Sequence, residues 1–335
     1  MAVASLNEIY TAVRLVGFWQ FTAGGQNYLG VLEQDADETR STLTILRAGD
    51  GRWETVKAIS DEDVGIRAID GQPIGGDLLF GLELNEEMSL QIARVELSAL
   101  LDPANQAVAF NPSGEISPTD AQAQKVDLPV TQRWNVATPL PPARWLFSPQ
   151  FVRGGDAPQL IANTADGQAM LFTPTAQPDL AAFSIPNAAE PQAAIVNGQQ
   201  IVAFKRYPEP YYPFWSLPQY SGDKLPKGGD LMVATDPASP RNLSRELSIG
   251  PIIGYKMAAS SDGRLWIFAL SDAPVGTDVI ALSQRGPEWT VAGRWSVDGE
   301  VQQLSAEYAT ERWHLIYGVP IEGGWSLRHQ TWRAA

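Results

Sequence analysis

Three features of the sequence predict an all-β fold built from repeated four-stranded units. Apolar and polar residues alternate with a period of two nearly everywhere. Turn-forming residues interrupt them every ten residues or so, and groups of four such segments recur along the chain. The clearest group lies towards the C-terminus. Tyr255–Ser260 reads as a strand, Ser261-Asp262-Gly263 as a hairpin turn, and Arg264–Leu270, Thr277–Leu282 and Glu288–Trp295 as three further strands. An Asp-Gly pair suits the positive φ angles of a two-residue hairpin. Ala193–Phe204 repeats the strand–turn–strand opening and continues with Asp230–Thr235 and Asn242–Leu247. Near the start, Val13–Trp19, Asn27–Leu32, Ser41–Leu46 and Trp53–Ala58 form one unit. Asp63–Ile69 and Asp77–Glu83 open another, and Arg144–Ile185 would fill one more. The last unit, Leu304–Ala309, Arg312–Tyr317 and Trp325–Thr331, stops one strand short.

Units of roughly 40–50 residues with four strands each are the signature of a propeller. The chain resembles a generic β-propeller, which implies a single ring of about six blades over residues 1–335. Residues near Val3 to Tyr10 would supply the missing last strand. Five or seven blades and a large β-sandwich are the rival architectures. Two insertions are expected, near 101–134 and near 207–229. The first carries Asp102-Pro103, Asn111-Pro112 and Ser117-Pro118 and reads as a long loop. Just before it, Asn85–Leu100 has helical propensity. Ser261-Asp262-Gly263-Arg264-Leu265-Trp266 looks like the Asp-box turn of sialidase-type propellers. It lacks the residue which that motif places between Asp and Gly, and is read as an ordinary turn.

Composition narrows the chemistry. The 24 basic and 38 acidic side chains leave a net charge of −14, which disfavours a bulk electrostatic grip on nucleic acid or anionic lipid. The same sign permits a basic partner, or calcium. With no cysteine, disulfides, thiolate metal sites and a cysteine nucleophile are excluded. Met1–Tyr10 lacks a basic segment followed by an apolar stretch, so a cytoplasmic protein is expected by default, with signal-independent export as the alternative. No apolar run approaches the roughly 20 residues that span a bilayer, so no membrane insertion is expected.

Catalytic signatures are sparse. His314 and His329 are the only histidines, neither serves a serine elbow, and both read as packing or surface residues. Walker, Rossmann and His-x-x-x-His patterns are absent. Paired carboxylates would leave no local signature, because a propeller assembles them from distant blades, and glycosidases of this architecture use such pairs. Asp230–Pro240 is faintly similar to a strand end in propeller glycosidases, and equally to any strand followed by a proline-rich turn.

Loop geometry adds two features. In a four-stranded antiparallel blade, the second-to-third and blade-to-blade connections emerge on one face, and rigid scaffolds concentrate function in such loops. The Tyr207–Gly229 connection lies there and carries six aromatics, Tyr207, Tyr211, Tyr212, Phe214, Trp215 and Tyr220, among prolines. Flat aromatic faces suit sugar rings or a partner protein, and proline limits the entropy lost on contact. The same face gathers Glu33, Asp35, Asp37, Glu38, Asp61, Glu62, Asp63, Glu86 and Glu87. Of these, Asp35, Asp37, Asp61 and Asp63 are candidate calcium ligands. The expected function is a non-catalytic module that recognises a glycan or a protein partner through this face. A glycoside-acting enzyme with paired carboxylates and a structural assembly component are the alternatives.

Overall fold

The computed structural model describes residues 6–334 apart from 38–39, 50–51, 63–65, 85–88, 103–106, 110–125, 128–129, 136–145, 156, 165, 174–182 and 211–227; of the remaining residues within 59–69, 79–94 and 103–146 it describes the backbone alone. The chain is a six-bladed β-propeller. Blade one is Arg14–Ala23, Gln26–Gln34, Arg40–Ala48 and Trp53–Glu62. Blade two is Ile66–Ile74, Asp77–Leu84, Ser89–Glu96 and Val130–Asn135. Blade three is Leu146–Phe151, Leu160–Thr164, Ala169–Phe172 and Ser184–Ile185. Blade four is Ala189–Val196, Gln199–Arg206, Asp230–Ala234 and Arg241–Asn242. Blade five is Gly254–Ala259, Leu265–Asp272, Thr277–Arg285 and Glu288–Val297. Blade six is Gln303–Ala309, Arg312–Ile321 and Gly324–Trp332, with Asn7–Ala12 as its outer strand.

That last pairing closes the ring. Asn7–Ala12 runs antiparallel to Gly324–Trp332, from Asn7 opposite His329 to Ala12 opposite Trp325. Ser326 Oγ donates to Glu8 across the seam at 2.6 Å, and Tyr10 donates to Glu33 of blade one at 2.6 Å. The first strand of each blade is innermost, and these six strands neighbour one another around the axis.

Sheet faces stack on sheet faces, so the core lies between blades. Between blades five and six, Trp266, Phe268, Trp313 and Trp332 form one aromatic cluster, with Phe268 and Trp313 centroids 4.9 Å apart in an edge-to-face pair. Such pairs contribute about 0.5–1.5 kcal/mol beyond their buried area. Between blades one and two, the Trp19 ring lies against Gly30 and Gly71, where any side chain would collide with it.

Three expectations are corrected. The Asn85–Leu100 segment contains a strand, Ser89–Glu96, paired along Asp77–Leu84, and only Leu97–Leu101 is helical. Cross-strand pairing overrides a weak helical propensity. The stretch near 101–134 is not all insertion, since Val130–Asn135 returns as the outer strand of blade two. Of Asn242–Leu247 only Asn242 is strand, as the second residue of Arg241–Asn242. Asn242 then caps the turn Leu243–Glu246 by accepting the Arg245 N–H at 3.0 Å.

Candidate functional site: the axial cavity

The inner strands converge on a cavity of about 210 Å3, room for about seven waters. Its walls include Thr22, Gln72, Arg153, Lys256, Ser305 and Glu307, drawn from five blades. Most come from the final residues of their inner strands or, for Arg153, just beyond. The cavity therefore sits towards the end of the channel where the first-to-second hairpins emerge.

The charged groups are held individually. Asp70 is 2% exposed and stands behind the wall. One of its oxygens accepts the Phe151 N–H at 2.8 Å, and the other is ion-paired with Arg153 Nη2 at 2.6 Å. Arg153 Nη1 donates to the Gly71 carbonyl at 2.9 Å, so blade two fixes a guanidinium that blade three carries. The Arg153 backbone bonds to Ala193 and Ile195 of blade four, which anchors the residue at a third point.

Lys256 Nζ donates to Gln150 Oε1 at 3.1 Å, and the described residues place no carboxylate in ion-pair contact with it. Burial deep in the channel pulls its pKa down to about 8, with Asp70 and Glu307 acting upwards and Arg153 downwards. Glu307 accepts from Thr22 Oγ1 at 2.9 Å. Burial raises its pKa, against the Thr22 hydrogen bond and the charges of Arg153 and Lys256. Both side chains are partly exposed, but to the channel rather than to the outer surface. Among the described residues, none donates to Gln72 Oε1, buried at the cavity wall.

Sequence reading missed all of these residues. Each is a charged or polar side chain between apolar or glycine neighbours, as in Tyr255-Lys256-Met257 or Ala306-Glu307-Tyr308. One signal was present. Each lies in, or just after, the first strand of its unit, and first strands face the axis.

A second groove, about 910 Å3, runs between blades six and one and is lined by Asn7, Trp53, Arg312, His314, His329 and Gln330. It brings the two histidines together, with His314 Nδ1 3.1 Å from His329 Nε2. Local sequence gave no hint of this pairing; the residues sit on adjacent strands of blade six, where Ile316 rather than His314 is opposite His329.

Of the six aromatics in the loop, Tyr207 alone is described. It is 6% exposed, packs on Ala189 and lies 5.4 Å from Lys205 Nζ over its ring. Lys205 is itself buried, ion-paired with Glu190 at 2.6 Å and bonded to the Ile253 carbonyl at 2.8 Å. Tyr207 is thus packed beneath the loop's root. Tyr211, Tyr212, Phe214, Trp215 and Tyr220 lie outside the described residues. Among the candidate calcium ligands, Asp35 closes its own turn by accepting the Arg40 N–H at 3.2 Å, and Asp37 is exposed. Asp61 is described in its backbone alone, opposite Ser41, and Asp63 lies outside the described residues. Among the described residues, no group of three or more acidic or histidine side chains is disposed to hold a metal ion. No described helix is long and apolar enough to cross a membrane.

No family model matches the chain, and no curated protein matches it. Solved structures do. An α-L-arabinofuranosidase of Fusarium graminearum with an iminosugar inhibitor aligns over 99% of this chain and 98% of its own, at 9% identity and a TM-score of 0.55. The complex of a Fusarium graminearum α-L-arabinofuranosidase with arabinobiose aligns over 98% of both chains, at 10% identity and a TM-score of 0.53. A Trypanosoma rangeli sialidase with the inhibitor DANA aligns over 96% of this chain and 55% of its own, at 11% identity and a TM-score of 0.53. At such identities the likeness establishes the fold. These comparisons overturn the expectation of a non-catalytic module recognising a glycan or protein through one loop face. The arabinofuranosidases, matched along nearly the whole of both chains, are glycoside-acting enzymes, and charged side chains from separate blades converge in the axial cavity.

Proposed function

We propose that the protein is a glycoside-acting enzyme working at the axial cavity. The observation that carries this reading is the meeting, in one cavity, of a deep carboxyl group, two cations and uncharged hydrogen-bonding side chains from five blades. Sugar hydroxyls both donate and accept. Lys256 and Arg153 supply donors, and Gln72 Oε1 is a buried acceptor that costs about 1–3 kcal/mol if left unmet. The arabinofuranosidase and sialidase likenesses support the same class.

Glu307 is the proton donor in this reading. Its raised pKa keeps more of it protonated in mild acid, as a general acid requires. The proton passes to the glycosidic oxygen as its bond to the anomeric carbon breaks, a water molecule bonds to that carbon and gives up a proton to solvent, and Thr22 Oγ1 donates to the carboxylate left behind. Asp70 has a different part. With one oxygen bound to a backbone N–H and the other to Arg153, it positions the guanidinium rather than attacking.

A panel of nitrophenyl glycosides, led by arabinofuranosides and sialosides, tests the reading. At least one should be cleaved. Glu307→Gln should lower kcat/KM by about 10²–10⁴-fold with the fold intact, and by less for dinitrophenyl leaving groups, which need no proton. Failure to cleave any member, or full activity in Glu307→Gln, overturns it.

A further inference from the structure

We infer that the sugar this cavity takes carries a carboxylate, which docks against the Lys256 ammonium. The inference rests on reading the cavity as a sugar site, and goes beyond it by naming the substrate class. Buried charges are ordinarily paired. Here Asp70 answers Arg153, whereas Lys256 meets only the neutral Gln150 Oε1 among the described residues. An ammonium carries three donors, and Lys256 lines the cavity. A neutral sugar would leave that ammonium with no carboxylate in direct contact among the described residues, only the more distant charges of Asp70 and Glu307; a carboxylate on the sugar would pair with it.

The charge of the wall follows Glu307. When Glu307 is in its acid form, Lys256 and Arg153 outnumber Asp70, in a chain whose net charge is −14. A bound anion would also disfavour ionisation of Glu307 and so hold it in its acid form. Substrate charge and proton donation are thereby coupled through one cavity.

Binding and cleavage are measured separately. Calorimetric titration of the full chain with glucuronate, galacturonate and N-acetylneuraminate, each against a neutral counterpart, gives the first. We expect at least one acidic sugar to bind at least tenfold more tightly than its counterpart. That preference should vanish in Lys256→Met and persist in Lys256→Arg, which keeps the charge should the Met variant fold poorly. Acetate and sulfate as competitors separate a sugar-borne carboxylate from any small anion. Equal affinity for acidic and neutral sugars, no binding across the acidic set, or an unchanged preference in Lys256→Met each overturn the inference. Cleavage of neutral glycosides without acidic preference would sink it while leaving the enzyme reading standing. Lys256-dependent binding of acidic sugars without cleavage of any glycoside would do the reverse.

Discussion

Gly71 and Gly30 show how one absent side chain can set the distance between blades. The Trp19 ring is 1% exposed and occupies the space a Cβ would need at either glycine. Gly71→Ala should therefore destabilise the fold by about 1–3 kcal/mol through overpacking, read as a lower denaturant midpoint with an unchanged slope. An unshifted midpoint would show that the ring can move. The histidine pair makes a different residue-scale case. Its ring planes are nearly parallel, at 10°, with centroids 5.3 Å apart, and the facing nitrogens, 3.1 Å apart, have room for one proton between them. Thr310 meets the other nitrogen of His314, Trp53 packs edge-on to His329, and burial, with the like charge of Arg312 added, lowers the His314 pKa. Burial, then His314, pulls His329 down to about 4. The unfolded chain thus binds more protons between about pH 6.5 and 4, and stability falls as pH drops through that window. Glu307, with its raised pKa, acts in the opposite sense. The discriminating measurement is the difference in Tm between wild type and His329→Gln. That difference should change across the window, and a constant difference would refute the shared-proton account.

Elements show which local signals survive folding. The turn at Asp262 forms where the Asp-Gly pair suggests, but as a five-residue connection between Ala259 and Leu265 rather than a two-residue hairpin, and of the pair only Gly263 takes a positive φ, 73°. Ser260 donates to Asp262, and the Trp266 indole donates to Ser260 at 3.2 Å. The place of the turn was legible from near neighbours in sequence; its length and these side-chain bonds were not. The outer strand of blade six depends on the opposite end of the chain, yet was legible by subtraction, because a four-strand unit with three strands needs a fourth. Deleting residues 1–10 removes most of that strand and the Glu8 and Tyr10 bonds across the seam. Opening a closed ring exposes two sheet edges, so Tm should fall by many degrees rather than the small change typical of a frayed terminus. A deletion variant with wild-type Tm would mean that the ring holds without its velcro strand. The outer strand of blade two was not legible, since a long excursion separates Val130–Asn135 from the strand it pairs with.

For the whole molecule, period-two patterning, turn spacing and the absence of cysteine determined an all-β propeller of about six blades closed by its N-terminus. Those properties follow from each residue's near neighbours and from counting strands. The functional site did not follow from them. Asp70, Arg153, Lys256 and Glu307 span more than two hundred residues of sequence and share no spacing; only the closed ring turns four inner strands towards one axis. Their chemistry is likewise a tertiary product. The same lysine and glutamate on an open strand would be solvated and ordinary. Enclosure by the blades removes water, shifts both groups towards their neutral forms, and leaves Lys256 facing a cavity instead of a carboxylate. Sequence determined which strands exist, because strand formation and hairpin turns are local. Tertiary structure decided what meets at the axis, because burial and convergence belong to the ring.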